Sequence, residues 1–262
     1  MGESIVITSG KGGVGKTITT ANIGVGLAKL GKKVLVIDTD LGLRNLDIVL
    51  GMENTIVYNL VDLIQGKCTL EQVLLEKQEF PGFFFLPAAQ TKDKSAISSE
   101  QMKTLLEQIK SEYDYILLDC PSGIEEGFYQ AVAGADRAIV ITTPEIASIR
   151  DADRVIGLLK KQEMHNNDLL INRIHVDLLR KGELIPVEEI EEILPVHLLG
   201  VILEDKELLR ASNQGQTVIG TECPSAQAYH RICQRLNGED VLFPDFKETE
   251  RGFARLKHFF KK

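Results

Sequence analysis

The stretch Ser4-Ile5-Val6-Ile7-Thr8-Ser9-Gly10-Lys11-Gly12-Gly13-Val14-Gly15-Lys16-Thr17 places an apolar run directly before a glycine-rich loop that closes on Lys-Thr. The pattern G-x-x-x-x-G-K-[ST] holds phosphate because its glycines let successive backbone N–H groups turn toward phosphate oxygens. Lys16 then sets an ammonium on the β- and γ-phosphates, and the Thr17 hydroxyl completes the shell of a Mg²⁺. The run before the loop predicts a strand and the residues after it a helix, whose N-terminus adds its own partial positive charge. Gly12, Gly13, Val14, Gly15, Lys16, Thr17 and Ile18 are the nucleotide-binding candidates. One lysine exceeds what the pattern needs, and it is Lys11.

Outward from the loop, short apolar and β-branched runs recur at 34–37, 83–86, 115–118, 138–142, 169–174 and 199–202. Near-continuous hydrophobicity of this kind marks strands buried on both faces. Amphipathic stretches lie between them, at 16–30 closed by Gly31, 99–112, 149–161 and 186–193. The βαβα order predicts an α/β fold, a mostly parallel sheet flanked by helices on both faces. Ligands of such sheets sit at the carboxyl ends of the strands.

Three of those ends carry acids or an amide. The 34–37 run passes into Asp38-Thr39-Asp40 and then Leu41-Gly42-Leu43-Arg44-Asn45-Leu46-Asp47, a loop of switch character with Asp40 at its head. The 115–118 run ends in Asp119-Cys120-Pro121-Ser122-Gly123, where four apolar residues before an Asp make a Walker B-like edge that serves Mg²⁺ through water. Asn172 ends the third; its amide fits a purine edge or a loop cap equally well.

The 262 residues carry a net charge of -8, which speaks against a broad nucleic-acid footprint. Four cysteines form no C-x-x-C pair, so reduced thiols in a cytosolic protein are expected, and no run reaches the length of a bilayer span. The last residues read differently. In Arg251-Gly-Phe253-Ala-Arg-Leu256-Lys257-His-Phe259-Phe260-Lys261-Lys262, the apolar Phe253, Leu256, Phe259 and Phe260 share one side of a helix and the cations, Lys257 and Lys261 among them, take the other. A short basic amphipathic helix suits an anionic membrane surface. The expected division is a P-loop ATPase domain over 1–247 and a C-terminal amphipathic membrane-targeting tail over 248–262.

The two-lysine loop, Asp38-x-Asp40 and the acid-Pro-x-Gly edge together resemble the deviant Walker A ATPases of the ParA/MinD family, P-loop NTPases that dimerise around two sandwiched nucleotides. Gly42-Leu-Arg-Asn-Leu-Asp47, Asp119-Cys-Pro-Ser-Gly-Ile-Glu125, Ser148-Ile-Arg-Asp-Ala-Asp-Arg154 and Leu209-Arg-Ala-Ser-Asn-Gln-Gly215 look like its cell-division site-selection branch over essentially the whole chain. The resemblance implies a Mg²⁺-dependent, slow, partner-stimulated ATPase that forms a homodimer when ATP-bound. It implies catalytic roles for Lys11, reaching the partner's phosphates, for Lys16 and for Asp40, metal roles for Thr17 and Asp119, and adenine contact by Asn172. Asp151 and Asp153 match positions where regulators dock.

The implied partners are a septum inhibitor of the MinC type, a hydrolysis activator of the MinE type or another topological factor, and anionic membrane lipids, with nucleic acid not among them. The implied location is cytoplasmic and peripheral on the cytoplasmic face of the cell membrane. A related ATPase for chromosome or plasmid partition or flagellar placement is the alternative. Three positions depart from the pattern: Ile18 where a second threonine is usual, Ser122 for alanine and Leu203 for proline.

Overall fold

The computed structural model describes residues 2–90 and 96–243. The tail expected at 248–262, with Phe253, Leu256, Lys257, Phe259, Phe260 and Lys261, lies outside the described residues. Within them the chain runs β1 (Glu3–Thr8), α1 (Lys16–Lys29), β2 (Val34–Asp38), α2 (Leu46–Leu50), α3 (Leu60–Ile64), α4 (Leu70–Val73), β3 (Leu75–Glu76), β4 (Phe83–Leu86), α5 (Ser99–Ile109), β5 (Tyr115–Asp119), α6 (Glu126–Val132), β6 (Arg137–Thr142), α7 (Ile146–Lys161), β7 (Asn167–Ile174), α8 (Val176–Arg180), α9 (Val187–Ile193), β8 (His197–Leu203), α10 (Lys206–Asn213) and α11 (Pro224–Leu236).

Among the described residues these strands form one sheet in the order β3-β4-β2-β5-β1-β6-β7-β8. Each pairing is parallel except β3 with β4. The strand residues alternate between two cores, as a period of two requires. Val6, Leu35, Ile37, Ile116, Leu118 and Val140 face one layer, toward α5, α6 and α7. Ile5, Ile7, Val34, Val36, Leu117 and Ile139 face the other, toward α1 and α11. Helices therefore cover both faces, as the sequence predicts.

Helix α1 fits closely because two of its residues lack side chains. A Cβ on Gly24 would stand 2.6 Å from Val36 Cγ2, and one on Gly26 would stand 2.6 Å from Cys233 Sγ of α11. The helix that starts at the phosphate loop is thus seated directly on the sheet and on its neighbour.

Element edges differ from the sequence reading in places. Helix α7 starts at Ile146 rather than at 149, because Ile146 and Ala147 are exposed and the apolar periodicity begins only at Ile149. The helix expected over 99–112 ends at Ile109 and tightens into a 3₁₀ turn over Lys110–Glu112. β3 spans two residues, too few to carry a periodic signal. α11, opened by Pro224 at its first turn, was not among the helices read from sequence, although Ala226, Tyr229, Ile232, Cys233 and Leu236 recur at helical spacing.

Candidate functional site

β1 lies between β5 and β6, and its carboxyl end delivers the glycine loop to the middle of the sheet edge. Gly15 takes a left-handed conformation, φ 99°, where a Cβ would stand 2.4 Å from Asn172 Nδ2, so the position requires glycine. No side chain caps the first turn of α1, which leaves its N–H groups facing the loop for a ligand. Asn172, at the end of β7, donates Nδ2 to the Val14 carbonyl at 2.8 Å and accepts from the Arg173 N–H at 2.9 Å. Its amide is therefore engaged with backbone at both ends, and it fastens β7 to the loop.

Lys16 is buried, and its Nζ donates to Ser9 Oγ at 2.9 Å. Ser9 Oγ in turn donates to the Lys11 carbonyl at 2.7 Å. A buried ammonium whose hydrogen bond goes to a neutral hydroxyl is costly unless an anion completes it. That is the physical signature of a phosphate seat.

Asp119 supplies the matching carboxylate. It is buried at the end of β5, and its side chain accepts from the Thr17 and Thr20 hydroxyls, the latter at 3.0 Å. Burial raises its pKa to about 6, against the pull of those hydroxyls and of Lys16. Asp38, its neighbour in the β2–β5 register, is also buried, and burial together with the Asp119 charge pushes its carboxyl well above the ordinary range. Two buried acids beside two threonine hydroxyls suit a divalent cation, so the residues fit Mg²⁺. Thr39 ties the two strand ends through a 2.7 Å bond from its hydroxyl to the Asp119 carbonyl.

Asp40 sits half-buried past the end of β2, its N–H bonded to Asp38 Oδ1 at 2.9 Å. The following turn is braced: Gly42 N–H reaches the Ala89 carbonyl at 2.9 Å, and Arg44, held at φ 42°, places Nε 2.7 Å from the buried Asp47. Leu43 at the tip is left exposed.

Lys11 stands at the open mouth of the loop with Gly12 and Gly13, all exposed. Its Nζ pairs with Glu145 Oε2 at 3.1 Å, just before α7. The same helix touches the loop at its start, where a Cβ on Gly10 would stand 2.4 Å from the Asp151 carbonyl. Asp151 is half-buried and Asp153 exposed, so the regulator candidates lie on a helix that abuts the phosphate loop.

Beside Gly15 opens a cavity of about 480 Å³, walled by Ile18, Asn172, Arg173 and Leu203. It adjoins the phosphate seat, where a nucleoside would lie. Two departures from the family pattern, Ile18 and Leu203, thus line this cavity. Cys120, next to Asp119, is a buried thiol pushed by burial to about 12, the behaviour of a small apolar residue.

The structure adds Ser9, Thr20, Asp38 and Glu145 to the residues read from sequence. Thr20 had a signal, lying one turn beyond Lys16 on the same helix face, with its hydroxyl bonded to the Lys16 carbonyl at 3.0 Å. Glu145 had none, being 134 residues from Lys11.

A strand-loop-helix phosphate seat, an acid at the adjacent strand end and a second loop lysine define a nucleotide-binding P-loop protein of the deviant Walker A class. Residues 2–174 match the family model described as an AAA domain. The septum site-determining protein MinD of Bacillus subtilis is 48% identical over 264 residues, covering 99% of this chain and 98% of that protein. Among solved structures, the MinC:MinD cell division protein complex of Aquifex aeolicus superposes with a TM-score of 0.86 at 44% identity, over 92% of this chain and 98% of that one. MinD of Pyrococcus horikoshii complexed with Mg-ADP gives 0.82 at 32%, over 90% and 96%. The chain belongs to the MinD family of septum site-determining proteins.

Proposed function

We propose that the chain is a Mg²⁺-dependent ATPase that dimerises with ATP, binds the inner membrane surface through its C-terminal amphipathic tail and recruits a septum-formation inhibitor. The observation that carries this reading is Lys11, a second loop cation at the exposed mouth of a seat that Lys16 already serves. Within one chain Lys11 is surplus; across a dimer it reaches the partner's nucleotide.

In this reading Lys16 and the N–H groups of residues 12–18 hold the phosphates, and Thr17 and Asp119 hold Mg²⁺. Mg²⁺, when bound, neutralises charge on the β- and γ-phosphates. Asp40, at the head of the switch loop, orients the attacking water. Lys11 stabilises charge developing on the transferred phosphoryl group, as an arginine finger does. Asn172 positions the loop and borders the adenine cavity.

Asp151 and Asp153 receive regulators: a MinC-type inhibitor, supported by the family's MinC:MinD complex, and a MinE-type or other activator. The chain divides into an ATPase domain over 1–247 and a tail over 248–262. It sits in the cytoplasm and peripherally on the membrane's cytoplasmic face. One tail of about twelve residues binds weakly, and a dimer presents two, so the second binds at high effective concentration.

The test is co-sedimentation with anionic vesicles, alongside phosphate release with Lys16→Ala as control. Binding with ATP, its loss with ADP and its loss on removal of residues 251–262 are expected. Equal binding in all three would refute the mechanism.

A further inference from the structure

A second cavity, of about 490 Å³, lies away from the nucleotide, between the carboxyl-terminal end of α1 and α11. Its wall is apolar where Gly26, Leu30 and Ile219 line it, cationic where Lys29 and Arg231 do, and carries the His230 imidazole beside them. Neither Lys29 nor Arg231 meets a carboxylate among the described residues. The Lys29 ammonium lies against the backbone at Gly220, where a Cβ would stand 2.6 Å from its Nζ. Uncompensated positive charge around an apolar hollow is out of character for a chain of net charge -8, and it complements an amphiphilic anion.

What leaves the fold beside this cavity identifies the anion. One turn beyond Arg231 on α11, Arg235 straps down the last described residues: Nε donates to the Val241 carbonyl at 3.0 Å and Nη2 to the Leu242 carbonyl at 3.1 Å. Nη1 donates to Leu199 of β8 at 3.0 Å, and the guanidinium stacks 3.8 Å from the Phe243 ring centre. The chain therefore departs toward its basic amphipathic tail from the side of the domain that holds the cavity. The tail is itself cationic, so it does not neutralise the cavity's charges; an anionic bilayer that receives the tail does.

We propose that the cavity bounded by Lys29, His230 and Arg231 takes the headgroup phosphodiester of an anionic phospholipid, so that folded domain and tail grip the same membrane. This rests on the membrane reading above and adds a contact within the globular domain.

The test uses the full chain and dihexanoyl-phosphatidylglycerol below its micelle concentration, a probe that reports on the cavity whether or not vesicles bind. Saturable binding is expected, with amide shifts at Gly220, His230 and Arg231, and with much weaker binding of dihexanoyl-phosphatidylcholine. A Lys29→Gln/Arg231→Gln variant, checked for unchanged thermal unfolding and ATP turnover, should bind anionic vesicles about fivefold more weakly for each charge removed. Absence of saturable lipid binding would overturn the proposal, as would an unchanged double variant. Equal saturation by inorganic phosphate, or displacement of the lipid by duplex DNA, would also overturn it by assigning the cavity to another anion. Failure of the tail reading alone appears separately, as vesicle binding that survives removal of residues 251–262.

Discussion

The Lys11 ammonium lies 3.1 Å from the Glu145 carboxylate, both side chains exposed, so the loop's surplus cation is parked on the segment that opens α7. An exposed pair of this kind is worth about 0.2–1 kcal/mol, so Lys11 is held in place yet cheaply released. Lys11→Ala should leave monomeric ATP binding within a few-fold of the parent and abolish ATP-driven dimerisation, measured by sedimentation equilibrium. Glu145→Gln should move the unfolding free energy by no more than about 1 kcal/mol. Dimers that persist in Lys11→Ala would refute the trans role.

In the metal role proposed for Asp119, proton and Mg²⁺ would compete for its carboxylate. Its folded pKa of about 6 lies above the ordinary 3.8, so folding favours its protonated form. The cost of holding it ionised is fully present above pH 6 and is relieved as the pH falls toward 4; a shift of this size corresponds to about 3 kcal/mol. The apparent Mg²⁺ affinity should therefore fall about tenfold per unit below pH 6. Titrating turnover with Mg²⁺ between pH 5 and 7.5 measures this, and a flat profile would count against Asp119 as the metal acid.

Thr20 tunes that midpoint. Its hydroxyl bonds Asp119 Oδ1 at 3.0 Å and favours the ionised form. Thr20→Val keeps the shape and removes the donor, which should raise the pH midpoint by about half a unit to one unit and cost about 1 kcal/mol in denaturant unfolding.

Gly15→Ala brings a methyl to 2.4 Å from Asn172 Nδ2 at a residue held at φ 99°. Backbone strain of about 1–2 kcal/mol adds to the clash, so ATP affinity should fall at least about tenfold. The double variant with Asn172→Ala should recover part of the loss in calorimetric titration, because it removes the clash and leaves the strain.

Ile18→Thr restores a hydroxyl at the mouth of the nucleoside cavity, where Ile18 now lines the wall. One added hydrogen bond of about 1 kcal/mol predicts roughly fivefold tighter ATP binding by fluorescent-nucleotide competition. Unchanged affinity would mean that the N–H of residue 18 already suffices.

The central strands were legible because residues such as Val34 to Ile37 are buried on both faces and so read as unbroken apolar runs. The loop was legible because phosphate cradling demands glycine and lysine at fixed spacing. Asp38 was harder: Asp38 and Asp40 share a face, and only the register with Asp119 makes the first of them the buried partner. Ser9 acts through a single hydroxyl, which carries no pattern, whereas the only signal for Thr20 was its place one turn beyond Lys16. The Lys11–Glu145 pairing exists only because β6 runs beside β1 and delivers residue 145 to the loop.

The Arg235 strap gives the sheet a further meaning. Leu199, which it holds, lies near the amino end of β8, and Tyr115, the first residue of β5, bonds the Leu236 carbonyl at 2.9 Å. The phosphate loop sits at the opposite, carboxyl ends of the strands. The phosphate loop and the last described residues are thus kept a strand's length apart by a stiff sheet. In the proposed mechanism, ATP would then change only the number of domains facing one way, and the membrane would respond to that count.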